Sequence, residues 1–343
     1  MTDIFKLTSD YQYGEIHFKH CQKSGMKAII AIHSTKRGPA LGGCRFVSYN
    51  STESAIIDAL KLGQGMSYKA AMANLPLGGG KAVIIKPKED FSREEYMLSF
   101  GSFVESLQGR YITALDSGTE LSDMDIIATQ TNYLASRSEY YGDPSPHTVQ
   151  GVMAGIRAAC FVKFGKTSLK NLSFAIQGLG HVGRGVADLL HQEGAKLYLA
   201  DINRDTATSV AQEFHQSLVS PEEIHQVNCD VFVPCALGGI INADTIHKLQ
   251  CKVIAGAANN QLQDISMAQA LHEKEILYVP DYIINSGGLI YAAGKYLKHH
   301  DERISREITD IYQRVIDISH KSINENTPPS LIVDHIAKAM VMN

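Results

Sequence analysis

The sequence has no long apolar run: no stretch approaches the roughly 18 consecutive apolar residues of a bilayer span, so no membrane role is expected. It also has no block of Lys and Arg. With a formal net charge of −4 and no cationic stripe to neutralise phosphates, no nucleic-acid partner is expected. Residues 1–6 hold no apolar segment of secretory length, which points to the cytoplasm. The six cysteines (Cys21, Cys44, Cys160, Cys229, Cys235, Cys251) are scattered without a C-x-x-C pair, as expected of reduced thiols. Cys229 and Cys235 stand at a separation that is not a zinc spacing, and no metal is expected. Tryptophan is absent, and no segment is low in complexity.

What is present suits two domains. A chain of 343 residues, 44% hydrophobic and 20% charged, is too long for one ordinary core and too apolar for disorder. In the front part, residues 13–19 alternate like a strand, 26–33 form a β-branched apolar run, and 82–85 and 111–114 read as short strands. A helix is expected between Ser51-Thr52 and Gly65, and another over 96–107. Residues 141–146 (Tyr-Gly-Asp-Pro-Ser-Pro) break regular structure and mark a domain boundary and hinge. Beyond them, strands at 172–177, 196–200, 231–234, 253–257 and 277–280 alternate with helices such as 182–193 and 264–273. That alternation argues for an α/β fold with a doubly wound parallel sheet. Residues 303–320 read as one long amphipathic helix, with a last short helix after Pro328-Pro329.

Gly178-Leu179-Gly180-His181-Val182-Gly183 follows the strand Leu-Ser-Phe-Ala-Ile-Gln and opens a helix. The first glycine permits a tight turn, the second lets backbone approach a pyrophosphate, and the third lets helix and strand pack closely. A bare G-x-G-x-x-G is weak, because any αβ turn can supply it. Here the next strand ends at Asp201, where an acid accepts hydrogen bonds from an adenosine ribose. A carboxylate repels a 2′-phosphate, so NAD is favoured, while nearby Arg204 keeps NADP open.

Lys69 (in Met66-Ser67-Tyr68-Lys69) and Lys81 (in Gly78-Gly79-Gly80-Lys81) sit in apolar, glycine-rich settings. The bland reading of a lysine is a solvated charge, but Lys81 directly precedes a buried strand. A lysine kept from water has a lowered pKa and can act as a base near neutrality. A phosphate loop does not fit, since Leu75 replaces its first glycine and Ala82 its magnesium-binding hydroxyl. Asp116 follows the strand at 111–114. It reads either as a turn or cap residue or as the acid that, with two ammonium groups, completes a kit for handling an amino acid.

The chain resembles the leucine, phenylalanine, valine and tryptophan dehydrogenase group, relatives of glutamate dehydrogenase, and is closest in type to leucine dehydrogenase. The resemblance spans nearly the whole chain. Besides the motifs above it rests on Gly38-Pro39-Ala40-Leu41-Gly42-Gly43, Pro144-Ser145-Pro146 with Thr148, Pro234-Cys235-Ala236-Leu237-Gly238, Ala257-Ala258-Asn259-Asn260-Gln261-Leu262 and 280–288. It implies an N-terminal α/β substrate-binding and oligomerisation domain over 1–146, to which 326–343 return. A Rossmann NAD-binding domain then covers 147–325, with a cleft between the two that closes about the hinge.

The resemblance also assigns roles. Lys69 holds the substrate carboxylate, helped by Asn260 and backbone N–H groups near Gly42 and Gly43. Lys81 is the general base, and Asp116 exchanges a proton with the substrate nitrogen. Thr148 orients the nicotinamide carboxamide, and Ala236, Leu237 and Asn260 line that half of the cofactor. Gly178, Leu179, Gly180, His181, Val182 and Gly183, with Asp201 and Ile202, hold the rest of it. Leu41, Leu289 and Ala292 line the side-chain pocket. Leucine-type enzymes commonly carry valine at the last two of these positions, and Glu where this chain has Leu115.

The implied activity is reversible, NAD-dependent oxidative deamination of an apolar L-amino acid, leucine and other branched chains first, to the 2-oxo acid and ammonia. A phenylalanine or tryptophan dehydrogenase of a dedicated biosynthetic pathway is the alternative. A non-catalytic NAD-binding regulator is a third, against which Lys69, Lys81 and Asp116 together argue. A homo-oligomer, from dimer to octamer, is expected, with a tail beyond Pro329 shorter than usual.

Overall fold

The computed structural model describes residues 3–342 and divides into two compact units. The first comprises Met1–Gly142, Ala292–His300 and Ala337–Asn343; the second comprises Asp143–Tyr291 and Asp301–Ile336.

In the first unit the elements run α1 (Ile4–Asp10), β1 (Glu15–His20), β2 (Lys27–Ser34), β3 (Ala40–Val47), α2 (Thr52–Met72), β4 (Gly78–Ile85), α3 (Arg93–Glu105), β5 (Tyr111–Ala114) and α4 (Leu121–Ala128). The strands form one sheet in the order β1-β2-β4-β3-β5, antiparallel from β1 to β4 and parallel from β4 to β5. Strand periodicity sorts its side chains between two cores. Ala28, Ile30, Ile32, Cys44, Phe46, Ala82 and Ile84 pack on one face against Met97, Phe100, Val104 and Ile127 of α3 and α4. Ile29, Ala31 and Val83 pack on the other face against Ala55, Ile56, Ala59 and Leu60 of α2. A sheet covered on both faces is why 26–33 reads as an unbroken apolar run rather than an alternating one.

Three local readings change. Helix α2, started by a Ser51–Ser54 capping box, runs through Gly63 and Gly65 to Met72, so Lys69 lies in its last turn. The strand expected from Ala82 begins at Gly78, so the three glycines and Lys81 lie within β4. At Gly79 a Cβ would stand 2.0 Å from the backbone N of Ser67, so the glycines let α2 lie against the sheet. The glycines of β3 hid a strand in the same way.

The second unit holds α5 (Ser145–Phe164), β6 (Ser173–Gln177), α6 (His181–Gln192), β7 (Lys196–Ala200), α7 (Arg204–Phe214), β8 (Ser217–Leu218), β9 (Val231–Pro234), β10 (Val253–Ile254), α8 (Ser266–Glu273), β11 (Leu277–Tyr278), α9 (Asp281–Ile284), α10 (Gly287–Tyr296), α11 (Asp301–Thr309), α12 (Ile311–Glu325) and α13 (Pro329–Met342). Residues 287–296 and 329–342 thus run across unit boundaries. Helix α5 begins at Ser145, inside the expected break, because prolines at the cap and in the first turn remove no intrahelical hydrogen bond. The expected single helix over 303–320 is two helices separated at Asp310, and the last helix has 14 residues rather than being short.

All pairings in the second sheet are parallel, in the order β11-β10-β9-β6-β7-β8. The α/β class with a doubly wound sheet, expected from the strand–helix alternation, is the observed one. Chain direction across the sheet reverses at β6, between β7 on one side and β9 on the other, and ligands of such sheets bind outside the strand ends at this switch.

Candidate active site

Lys81 and Asp116, far apart in sequence, meet in the first unit. Strand β3 lies between β4, which carries Lys81, and β5, which leads to Asp116. Alternation puts Lys81 on the α2 face with Val83, and Gly43 on that face too, opposite to Cys44. A Cβ on Gly43 would stand 2.7 Å from Cβ of Asp116, so the missing side chain is what lets the acid lean over β3. The Lys81 Nζ donates a charge-assisted hydrogen bond to Asp116 Oδ2.

Lys81 is only 6% exposed, which removes the solvated-charge reading. Burial alone would raise the proton affinity of Asp116, but the Lys81 ammonium, its hydrogen bond, the Ser117 backbone N–H and Arg45 together hold the carboxyl below the usual carboxylate range. The Asp116 N–H donates to Thr119 Oγ1 at 3.0 Å, which fixes the turn that presents the acid. Beneath the pair, the Tyr111 hydroxyl donates to the Gly42 carbonyl at 2.5 Å and so ties β5 to β3.

The first unit also holds further expected residues. Lys69 is half-buried in the last turn of α2, the helix that covers the Lys81 face. Leu41, Gly42 and Gly43 are buried on β3, Leu41 almost completely at 1% exposed, and Ala292 is buried as well. Sequence reasoning missed Arg45, whose Nε lies 3.9 Å from Asp116 Oδ2. Its signal was spacing: Arg45 follows Gly43 by two on a strand, and so shares its face.

The second unit gathers the others. The loop after β6 turns on Gly178 at φ +92°, a left-handed region where side chains are strained. At Gly183 a Cβ would stand 1.9 Å from the Gly178 carbonyl oxygen, so only glycine lets α6 start against the strand. At Gly180 a Cβ would meet nothing within 4 Å, and open space lies beside the first turn of α6, where Leu179, Gly180, His181 and Val182 stand. An anionic group fits there, facing unpaired helix N–H groups and the positive end of the helix dipole. Asp201, at the end of β7, accepts hydrogen bonds from Leu179 N–H at 2.6 Å and Asn203 N–H at 2.7 Å, and so joins the two strand ends.

Ile202 next to it is 91% exposed, and Leu237, after β9, is 85% exposed. Large apolar side chains standing in water at the strand ends suit the flat faces of a dinucleotide. Ala236 is exposed beside Leu237 and abuts Gly178. Asn260 is exposed with φ 52°, held by its N–H donating to the Asp281 carboxylate. Thr148, in the first turn of α5, donates its hydroxyl to the Pro144 carbonyl at 3.3 Å, with Gly288 beside it. Leu289 is half-buried on α10. The residues present therefore fit a dinucleotide.

Comparisons with known proteins agree in kind. Residues 12–133 match the family model described as Glu/Leu/Phe/Val dehydrogenase, dimerisation domain, and residues 197–341 match Glutamate/Leucine/Phenylalanine/Valine dehydrogenase. The chain is 44% identical over 341 residues to the leucine dehydrogenase of Thermoactinomyces intermedius, covering 98% of this chain and 93% of that one. The crystal structure of L-tryptophan dehydrogenase from Nostoc punctiforme superposes with a TM-score of 0.88 at 37% identity, covering 99% and 98% of the two chains. That of hetero-hexameric glutamate dehydrogenase from Thermus thermophilus, with TM-score 0.75, 18% identity and coverage of 97% and 91%, shares the fold.

Proposed function

This chain belongs to the glutamate, leucine, phenylalanine and valine dehydrogenase family of NAD(P)-dependent oxidoreductases, and on that premise we propose that it oxidatively deaminates leucine and other branched-chain L-amino acids, reversibly, with NAD. The observation that carries this reading is the buried Lys81–Asp116 pair: a proton-transfer set kept from water has no use in a protein that only binds.

NAD, when bound, would supply the acceptor for a hydride from the substrate Cα. Residues Gly178 to Gly183, with Asp201 and Ile202, hold its adenosine and pyrophosphate, and Thr148, Ala236, Leu237 and Asn260 hold its nicotinamide half. Asp201 selects against a 2′-phosphate by like-charge repulsion. Lys69 pairs with the substrate carboxylate, assisted by the backbone of Gly42 and Gly43.

Asp116, ionised beside Lys81, favours the positive charge on the substrate nitrogen and exchanges its proton. Lys81 takes a proton from the water that adds to the same carbon, and the carbinolamine then releases ammonia and the 2-oxo acid. Leu41 and Ala292, both buried in the first unit, offer the substrate side chain an apolar surround. A glutamate side chain there would leave a carboxylate buried and unpaired, which is strongly unfavourable.

We also propose a cytoplasmic homo-oligomer, in keeping with six free cysteines and a family description that names residues 12–133 a dimerisation domain. The test is an initial-rate screen of 2-oxo acids with ammonia and either NADH or NADPH. Branched-chain 2-oxo acids with NADH are expected to be fastest. Reduction confined to indolepyruvate would replace the reading by tryptophan dehydrogenase, which the 0.88 superposition favours as the second choice. Equal efficiency with NADPH would remove the argument from Asp201.

A further inference from the structure

We propose that Arg45 is the permanent counter-ion of Asp116, a positioning residue that keeps this carboxylate charged while Lys81 passes through its neutral form. The inference rests on the base role given to Lys81. A lysine that takes a proton must first be an uncharged amine, and in that state it no longer balances the acid beside it. A partly buried carboxylate facing a neutral amine would take up the proton itself, and the site would lose its acid–base difference. A second cation that cannot deprotonate prevents this, and guanidinium is that cation.

The geometry supplies it. Arg45 lies two residues beyond Gly43 on β3, on the face over which Asp116 leans. Its Nη1 donates to Asp58 Oδ2 at 2.9 Å, and the Tyr49 hydroxyl donates to that same oxygen at 2.6 Å. So clamped from α2, the guanidinium points a buried Nε that has no hydrogen-bond partner towards Asp116 Oδ2, 3.9 Å away. The separation is too long for a hydrogen bond yet short for a charge pair, so Arg45 contributes field without competing with Lys81 for the oxygen.

Two other titratable groups that interact with Asp116 carry no charge near neutrality. The Cys44 thiol of β3 is pushed up by burial to about 12, and the Tyr111 hydroxyl of β5 is pushed well above its ordinary value by the same cause. Asp58 and Tyr49 stand behind Arg45 and anchor it. Lys81 and Arg45 are therefore two cations whose charge acts on Asp116, and the guanidinium is the one that cannot lose its proton.

The experiment reads Asp116 directly, by carboxyl-carbon NMR of the full chain with labelled aspartate and no substrate, the signal assigned by its loss in Asp116→Asn. In Lys81→Met the carboxyl is expected to stay ionised at neutral pH. In Lys81→Met/Arg45→Gln its titration should move up by about two further pH units. In Arg45→Gln alone the acid limb of kcat/KM should rise by about one unit, Arg45→Lys restoring most of it while the KM for NAD stays put. This single variant carries the test if the double one does not fold.

Coincident titrations in the single and double variants, or an Arg45→Gln profile lowered at every pH with its limb unmoved, would overturn the proposal while leaving the base assignment intact. Near-normal turnover of Lys81→Met would overturn that assignment, and the proposal with it.

Discussion

The two units make their sites from different materials. In the second, the loop after β6 uses backbone: a left-handed Gly178, a bare Gly180 and a close-packed Gly183, contiguous in sequence and completed by Asp201 at the next strand end. In the first, the candidate site is side chains, Lys81 from a strand and Asp116 from beyond another, brought together because β3 sits between β4 and β5. A backbone site tolerates exchange of its polar side chains and fails when a Cβ is added. A side-chain site fails when a charge is removed. The comparison teaches where each is vulnerable, and substitutions in each should fail differently.

The largest effect belongs to Lys81→Ala, which is expected to lower kcat by on the order of 10²–10⁴-fold, the worth of a positioned proton-transfer group. NADH affinity should hardly change, and the cofactor's own emission reads it cleanly in a chain without tryptophan. Weakened NADH binding of similar size would erase the division between the two sites.

Next come the paired alanines. Gly43→Ala puts a methyl 2.7 Å from Cβ of Asp116, and displacing the acid should cost about 100-fold in kcat with cofactor affinity kept. Gly183→Ala meets backbone at 1.9 Å, which cannot yield as a side chain does. It should lower Tm and weaken NADH binding more than it slows the bound enzyme; titration of NADH emission and a thermal melt separate the two, and the reverse pattern would break the contrast.

The smallest effect is on acid stability. Each unit buries a histidine whose ring nitrogens have no partner, His33 in the first and His225 in the second. Burial lowers the pKa of His33 from 6.5 to about 4. Between those values the unfolded chain binds a proton that the folded one refuses, so stability falls as pH drops through this window. His33→Phe should flatten the decline of Tm there. His225, lowered by burial and by Lys248, should give a change of the same sign when replaced. An unchanged slope for His33→Phe would show that the ring already takes the proton when folded.

Much of the second unit was legible before any coordinates. Its strands at 196–200 and 231–234 stand where apolar runs put them, because short buried strands between amphipathic helices carry their signal locally. The first unit was harder. The strand Ala40–Val47 went unread, and the strand of Lys81 was expected to begin only at Ala82, because glycine in strands is rare and its purpose there, close approach of α2 to the sheet, is a long-range fact. The Asp116 turn and the bare lysines left their roles open until family resemblance proposed them, and Arg45 carried no sign of importance beyond its register.

By itself, then, the order of residues determined the α/β class, the parallel alternation, the glycine turn with its terminal acid and the residue types suited to amino-acid chemistry. These depend on spacing within a few turns or one strand. Only the tertiary structure decided that Lys81, Asp116 and Arg45 share one face of one sheet. Strand order is settled by packing between segments dozens of residues apart, and no local pattern encodes which strand lies between which.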